Sequence, residues 1–319
     1  MIEARGLSRT FRTRHDDVEA VRGVDLDVTE GEIVGFLGPN GAGKTTTLRM
    51  LTTLLEPTSG TATVAGCDLA KDPVGVRRRI GYVPQSGTTY PEALAGEELV
   101  DHARMYGITT GVARTRGHEL MDRFELDGVW DRKCRTLSGG QRRRLDIAMG
   151  LIHQPGLIFL DEPTTGLDPQ ARANLWVHIR NLRDALGATV FITTHYLEEA
   201  DALCDRILVI DHGEIVARGT PEELKQRVSG DTVELTMANT AAVATAVRVA
   251  SALPGADEPD TDGTTVRFHV PHGGQVLPAL LRQLDGDGAE PLAVGVRRPT
   301  LDDVFLTLTG RSLREEPAA

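Results

Sequence analysis

Residues 38–45 read Gly38-Pro39-Asn40-Gly41-Ala42-Gly43-Lys44-Thr45, with Thr46 directly after them. The pattern is G-x-x-x-x-G-K-[ST], whose glycines let backbone N–H groups turn inward onto phosphate oxygens. Lys44 is placed to reach β- and γ-phosphates, and the Thr45 hydroxyl to ligate Mg²⁺. The flanks agree. The run 32–37 ahead of the loop predicts a buried strand. Residues 45–55 behind it predict a helix, whose N-terminal N–H groups and dipole favour an anion.

The chain has 319 residues, room for two domains, and carries a net charge of −11 with a pI near 5.3. A general nucleic-acid binder would need a basic face, so DNA and RNA are not expected partners. No apolar run reaches the roughly 18 to 20 residues a membrane helix needs. Residues 1–5 open no signal-peptide apolar region, so a cytosolic location is expected. Cys67, Cys134 and Cys204 have no metal-site spacing and are expected to stay reduced.

Up to about residue 230 strand and helix patterns alternate, which predicts α/β architecture. Short apolar runs at 33–37, 80–83, 157–160, 190–193 and 207–210 suit strands of a largely parallel sheet. Helical patterns at 96–106, 139–153 and 170–185 lie between them. The first 28 residues alternate instead, predicting an antiparallel hairpin ahead of the phosphate loop. Beyond Asp231 acidic residues outnumber basic ones. Three alternating stretches, around Val233, Val266 and Val294, enclose two helix patterns. That β-α-β-α-β order predicts a small appended α+β domain, with surface turns at 255–263 and 285–288. The boundaries expected are 1–228 for the nucleotide-binding domain (helical subdomain about 86–155), 229–310 for the accessory domain and 311–319 for a frayed tail.

A phosphate loop needs a second strand to hold Mg²⁺. Leu157-Ile158-Phe159-Leu160-Asp161-Glu162 supplies four apolar residues and then two acids. Asp161 would hold the metal shell from the strand's carboxyl end. Glu162, where the chain leaves the sheet, is the group to orient or deprotonate an attacking water. Leu137-Ser138-Gly139-Gly140-Gln141 opens a helix and offers a second anion site, from the Ser138 hydroxyl and free N–H groups. One nucleotide does not need two such sites unless the second serves a neighbour. His195 closes the strand 190–194 and could hydrogen-bond a γ-phosphate. Gln85 closes another strand and could reach Mg²⁺ or the water.

These residues together resemble the nucleotide-binding subunits of ATP-binding-cassette (ABC) proteins. The resemblance covers residues 1–225 with the parts in order: the Walker A loop 38–45, the Q-loop Gln85 and the signature 137–141. The Walker B strand 157–161, Glu162, the D-loop 166–168 and the H-loop His195 come after them. It implies a P-loop NTPase cassette with a mostly parallel sheet, an N-terminal antiparallel β subdomain and a helical subdomain. It implies two such domains paired head to tail around two ATP, each ATP lying on Walker A of one chain and facing Ser138, Gly139, Gly140 and Gln141 of the other. Asp168 would help join the two sites, Glu162 would polarise the water, and His195 would steady the γ-phosphate. Phe11 stands where the family's adenine-stacking aromatic is expected. Family members often carry Tyr there, and edge packing is the alternative role for it.

The stretches LSGGQRRRLDIA at 137–148 and THYLEEAD at 194–201, and the ending RPTLDDVFL at 298–306, are similar to a narrower group. This is the daunorubicin/doxorubicin-resistance type, whose ATPases serve ABC-2 permeases. That resemblance implies a separately encoded membrane permease, peripheral attachment to the cytoplasmic face of the membrane, and export of drug-like compounds. A complete motif set implies a homodimer. The permease would dock near residues 86–99. Arg142, Arg143 and Arg144 are expected on a solvated helix face. A permease-independent ABC ATPase acting on ribosomes or nucleic acid, or an importer subunit, are the competing readings.

Overall fold

The computed structural model describes residues 1–12, 16–227 and 230–310. At the start of the chain Ile2 and Ala4 turn inward while Glu3 and Arg5 are exposed, and this alternation forms β1 (Ile2–Arg12). It pairs antiparallel with β2 (Asp17–Val28). After a turn, β3 (Ile33–Leu37) is buried at every position, as a strand covered on both faces must be. The helix behind the phosphate loop, α1 (Lys44–Leu51), is shorter than the predicted 45–55. Thr53 takes a φ of 64°, and the amides of Leu54 and Leu55 fold back onto the Arg49 carbonyl.

β4 (Ser59–Val64) and β5 (Cys67–Asp68) complete an antiparallel sheet of order β2-β1-β4-β5. α2 (Pro73–Arg79) leads into β6 (Ile80–Val83). Three helices come next: α3 (Ala95–Met105), α4 (Thr110–Arg123) and α5 (Gly139–Leu151). The chain then alternates through β7 (Leu157–Asp161), α6 (Pro169–Leu186), β8 (Thr189–Thr194), α7 (Leu197–Leu203), β9 (Arg206–Asp211) and β10 (Glu214–Gly219). α6 is well bounded. Asp168 caps it by accepting the Ala171 amide, Pro169 opens it, and Gly187 ends it at φ 64°.

The second sheet has the order β10-β9-β3-β8-β7-β6 and is parallel except for the β9–β10 hairpin. The α/β cassette with an antiparallel β layer is therefore present as expected. Side chains of both sheets and α1 meet in one core, with Ile2, Leu26 and Val64 against Phe36, Leu48, Phe159 and Phe191. Each such fully buried side chain contributes roughly 1.5–3 kcal/mol. Register decides the site. Leu37 stands opposite Thr194, Asp161 opposite Thr193, and Val83 opposite Leu160. Four strands thus end side by side, each leading into one of the chemical motifs.

The chain divides into two units, Met1–Pro221 and Glu222–Ala319, with α8 (Pro221–Gln226) at the division. The second contains β11 (Asp231–Thr236), α9 (Thr240–Ser251), β12 (Asp260–Asp262), β13 (Thr265–Val270), α10 (Gly273–Gly286), β14 (Ala293–Arg297) and α11 (Leu301–Thr309). Its antiparallel sheet, β12-β13-β11-β14, has the split β-α-β arrangement of ferredoxin-like folds. The predicted order lacked one strand. β12 lies inside the stretch read as a surface turn, because an exposed Asp-Thr-Asp carries no strand signal and only pairing with β13 makes it one. β14 alternates as predicted, yet every residue of it is exposed; it is an edge strand paired only with β11. Residues 311–319, expected to be a tail, lie outside the described residues.

Candidate functional site

The phosphate loop connects buried β3 to α1, and its glycines are forced by space as well as by backbone angle. A Cβ on Gly38 would stand 2.2 Å from the Ile210 carbonyl oxygen. Gly43 has φ 106°, and a Cβ there would meet the Ala20 carbonyl at 2.5 Å. The loop therefore lies close against its neighbours, with Pro39, Asn40, Gly41 and Thr46 lining the open side of the cleft. Ala42 is buried behind them, 3 % exposed. Lys44 is held by two loop carbonyls, donating to Gly38 O at 2.7 Å and Pro39 O at 3.0 Å.

The acids come from the next motif but two. Thr45 Oγ1 donates to Asp161 Oδ1 at 3.2 Å, and Thr193 Oγ1 to the same oxygen at 2.6 Å. Glu162 comes next with a φ of 42°, an unfavourable backbone conformation for a residue with a side chain, costing about 1–3 kcal/mol. Its amide donates to Thr193 Oγ1 at 3.0 Å. One carboxylate oxygen, Oε1, lies 3.3 Å from Lys44 Nζ. The other, Oε2, accepts Gln85 Nε2 at 2.9 Å and Thr165 Oγ1 at 3.2 Å, and lies 3.2 Å from His195 Nδ1. Burial alone would push this carboxyl up, but the His195 ring and the Lys44 charge outweigh it and hold the pKa at about 2. Lys44, Thr45, Gln85, Asp161, Glu162 and His195 are thus brought together around one cleft.

The signature residues are elsewhere. Ser138 caps α5 in a reciprocal box: its hydroxyl accepts the Gln141 amide at 3.2 Å, and Gln141 Oε1 accepts the Ser138 amide at 3.1 Å. Ser138, Gly139, Gly140 and Gln141 share a cleft of about 490 Å³ with Asp168, separate from the phosphate-loop cleft. Phe11 lines a third cleft with Arg9, whose guanidinium lies 4.8 Å from the ring centroid. The structure does not bring Phe11 into the phosphate-loop cleft itself.

One expectation is corrected. Arg143 is not on a solvated face. It is 7 % exposed and donates to three backbone carbonyls, of Pro163, Pro84 and Asp161, at 2.8, 2.6 and 2.9 Å. Arg144 is also largely covered and donates to Asn174 Oδ1 at 2.8 Å. The reason is that α5 is buried on most of its faces, so a charge run does not imply solvent. Asp146, 3 % exposed, was missed too, and so was Thr193. A signal for Asp146 exists: a lone acid inside the apolar run 145–152 must find a partner. Glu199, fully buried with the Trp176 indole donating to it at 3.1 Å, is a further missed group. Burial pushes its carboxyl above the ordinary range.

Residues 21–165 match the ABC transporter family, and residues 219–309 match the C-terminal domain of DrrA1-3-like ATP-binding proteins. The daunorubicin resistance ATP-binding protein DrrA2 of Streptomyces coeruleorubidus is 45% identical over 306 residues, covering 95% of this chain and 94% of the relative. The chain belongs to the ABC-transporter ATP-binding proteins of the daunorubicin/doxorubicin-resistance group. The chain is likewise 44% identical to the daunorubicin/doxorubicin resistance ATP-binding protein DrrA of Streptomyces peucetius, over 97% of this chain and 92% of the relative. Among solved structures it is similar to the ATP-binding cassette MJ0796, a dimer bound to ADP and Pi, with a TM-score of 0.64 and 27% identity. That alignment covers 69% of this chain and 98% of the other. The cassette is an ATPase of the drug-resistance and export type. No helix among its described residues is long and apolar enough to cross a membrane.

Proposed function

We propose that this ATPase works as a homodimer that closes around two ATP and drives a separately encoded ABC-2-type permease exporting drug-like compounds. The observation that carries the dimer is the separation of the two clefts. Within one chain, Ser138 to Gln141 and Asp168 line a cleft that shares no residue with the phosphate-loop cleft, which supports a reading in which each ATP is completed by a second copy. With no spanning helix among the described residues, the chain would act from the cytoplasmic face through its permease. Relatives named for daunorubicin and doxorubicin resistance favour export over import and over a ribosomal or nucleic-acid role.

The chemistry rests on the groups around Glu162. Backbone N–H groups of the phosphate loop and Lys44 hold the β- and γ-phosphates. The Thr45 hydroxyl and Asp161, with Gln85 near them, fit Mg²⁺: all are hard oxygen donors, and phosphate oxygens would fill the remaining positions. Mg²⁺ would neutralise charge developing on the phosphates. A γ-phosphate that draws Lys44 away from Glu162 removes one of the charges holding that carboxylate down, and its proton affinity rises. Glu162 then accepts a proton from the water attacking the γ-phosphorus, while Gln85 and His195 fix the carboxylate and the phosphate. Phe11 would stack on adenine from the neighbouring cleft.

Glu162→Gln tests the reading. ATP binding should persist, turnover should fall by about 10² to 10⁴, and size-exclusion chromatography in ATP should show a trapped dimer. A monomer with near-normal turnover would refute both roles.

A further inference from the structure

The carbonyls that Arg143 holds are not scattered. Pro84 precedes Gln85, Asp161 precedes Glu162, and Pro163 comes directly after Glu162. One guanidinium therefore grips the backbone on both sides of Glu162 and on the near side of Gln85. Three residues on, Asp146 Oδ1 accepts the Thr88 amide at 3.0 Å and its hydroxyl at 3.2 Å, on the far side of Gln85. Both side chains project from α5, the helix that Ser138 caps. The circuit closes through the 2.9 Å contact between Gln85 Nε2 and Glu162 Oε2.

The planar fork suits this task. Its N–H groups diverge in fixed directions, so three carbonyls on two segments are held at set spacing, which a single ammonium does not reproduce. Glu162 needs such a hold, because its backbone sits at φ 42° against its own preference. Ser138 and Arg143 are five positions apart, about 7.5 Å along a helix, so a displacement of the signature loop moves the fork as one body.

We propose that Arg143 and Asp146 are positioning residues for hydrolysis, holding Glu162 and Gln85 in reacting geometry and tying that geometry to where the signature loop sits. ATP bound on a second copy and seated on Ser138 thereby sets the hydrolytic groups of this chain. The proposal rests on the reading of Glu162 as the group that activates water, and of the signature as facing the second copy's ATP.

The test uses the full chain and four proteins: wild type, Arg143→Lys, Glu162→Gln and the double variant. Fluorescent ATP-analogue affinity, steady-state kcat and KM, and thermal unfolding are measured on each. Arg143→Lys should keep nucleotide affinity within about threefold and lower kcat by about 10- to 100-fold, the loss expected when a reacting group is displaced from a distance. Added to Glu162→Gln, it should cost nothing more, because groups acting as a unit are not additive. A folded Arg143→Lys with unchanged kcat, or full additivity in the double variant, would overturn the proposal. Should Arg143→Lys not fold, Asp146→Asn, which removes only the charge beside Thr88, is read by the same kcat-against-affinity split. Normal turnover in Glu162→Gln alone would instead sink the underlying role of Glu162, a result distinguishable from either.

Discussion

Lys44 Nζ stands 3.3 Å from Glu162 Oε1, so the cation proposed to bind phosphate and the carboxylate proposed to activate water are in direct contact. Both side chains are nearly buried, 4 % and 7 % exposed. Lys44→Ala should remove phosphate binding and release Glu162. The folded carboxyl sits at about 2, below its ordinary 4.5, so it contributes stability above pH 4.5 that is lost as pH falls towards 2. In Lys44→Ala the Glu162 titration, tracked by carboxyl ¹³C NMR, should move upward. ATP affinity should fall by at least about tenfold, the equivalent of roughly 1.4 kcal/mol. A Glu162 that titrates unchanged would show that Lys44 does not hold it down.

Thr193 joins the two acids, donating to Asp161 Oδ1 and accepting the Glu162 amide. Thr193→Val keeps the shape and removes one of two partners from each group, since the Glu162 amide keeps the Thr193 carbonyl and Asp161 Oδ1 keeps the Thr45 hydroxyl. Unfolding in urea should show a loss of about 0.5–1.5 kcal/mol, the net contribution of a hydrogen bond whose groups keep a second partner. Turnover should fall with it, since Asp161 loses its orientation. Equal stability in the variant would mean that the bond contributes nothing.

His153 stacks on Tyr106, with ring centroids 3.7 Å apart, and its Nε2 lies 2.9 Å from the Ile80 carbonyl oxygen. Burial pushes its pKa down to about 4, outweighing that carbonyl. With its folded value below the ordinary 6.5, the unfolded chain binds the proton first. Stability is therefore full above pH 6.5 and is lost as pH falls towards 4. Discounted for partial exposure, the loss should be roughly 1–2 kcal/mol. Comparing urea midpoints at pH 7 and 4.5, His153→Gln should show a smaller drop than wild type.

Tyr90 is 66 % exposed on the loop between Gln85 and α3, ahead of Leu94 at the α3 N-cap. As part of the proposed permease contact, Tyr90→Ala or Leu94→Ala should reduce drug transport in cells while basal ATP hydrolysis by the purified chain stays near wild type. Parallel loss of both activities would place these residues in the cassette's own machinery instead.

Much of this site was legible as motif. A glycine-rich loop, two acids after an apolar run and a His after another are local patterns. Each strand-ending motif landed at the carboxyl end of its strand because parallel strands deliver the residues after them to one edge. The parts that were not legible depended on neighbours distant in sequence. Arg143 read as part of a solvated charge run, because its three acceptors come from residues 84, 161 and 163. Thr193 read as an ordinary strand residue until β8 was seated beside β7. β12 had no signal of its own, and the alternation of β14 did not say whether either of its faces would be covered.

The phosphate loop, the order of the motifs and the α/β class can be read from local spacing and from the periodicity of apolar residues. The convergence of Gln85, Lys44 and His195 on Glu162, and the separate cleft of the signature, come from the assembled sheet. Strand order is the cause. β8 is inserted between β3 and β7, which sets the distances among groups up to 151 residues apart, and no local pattern encodes that insertion.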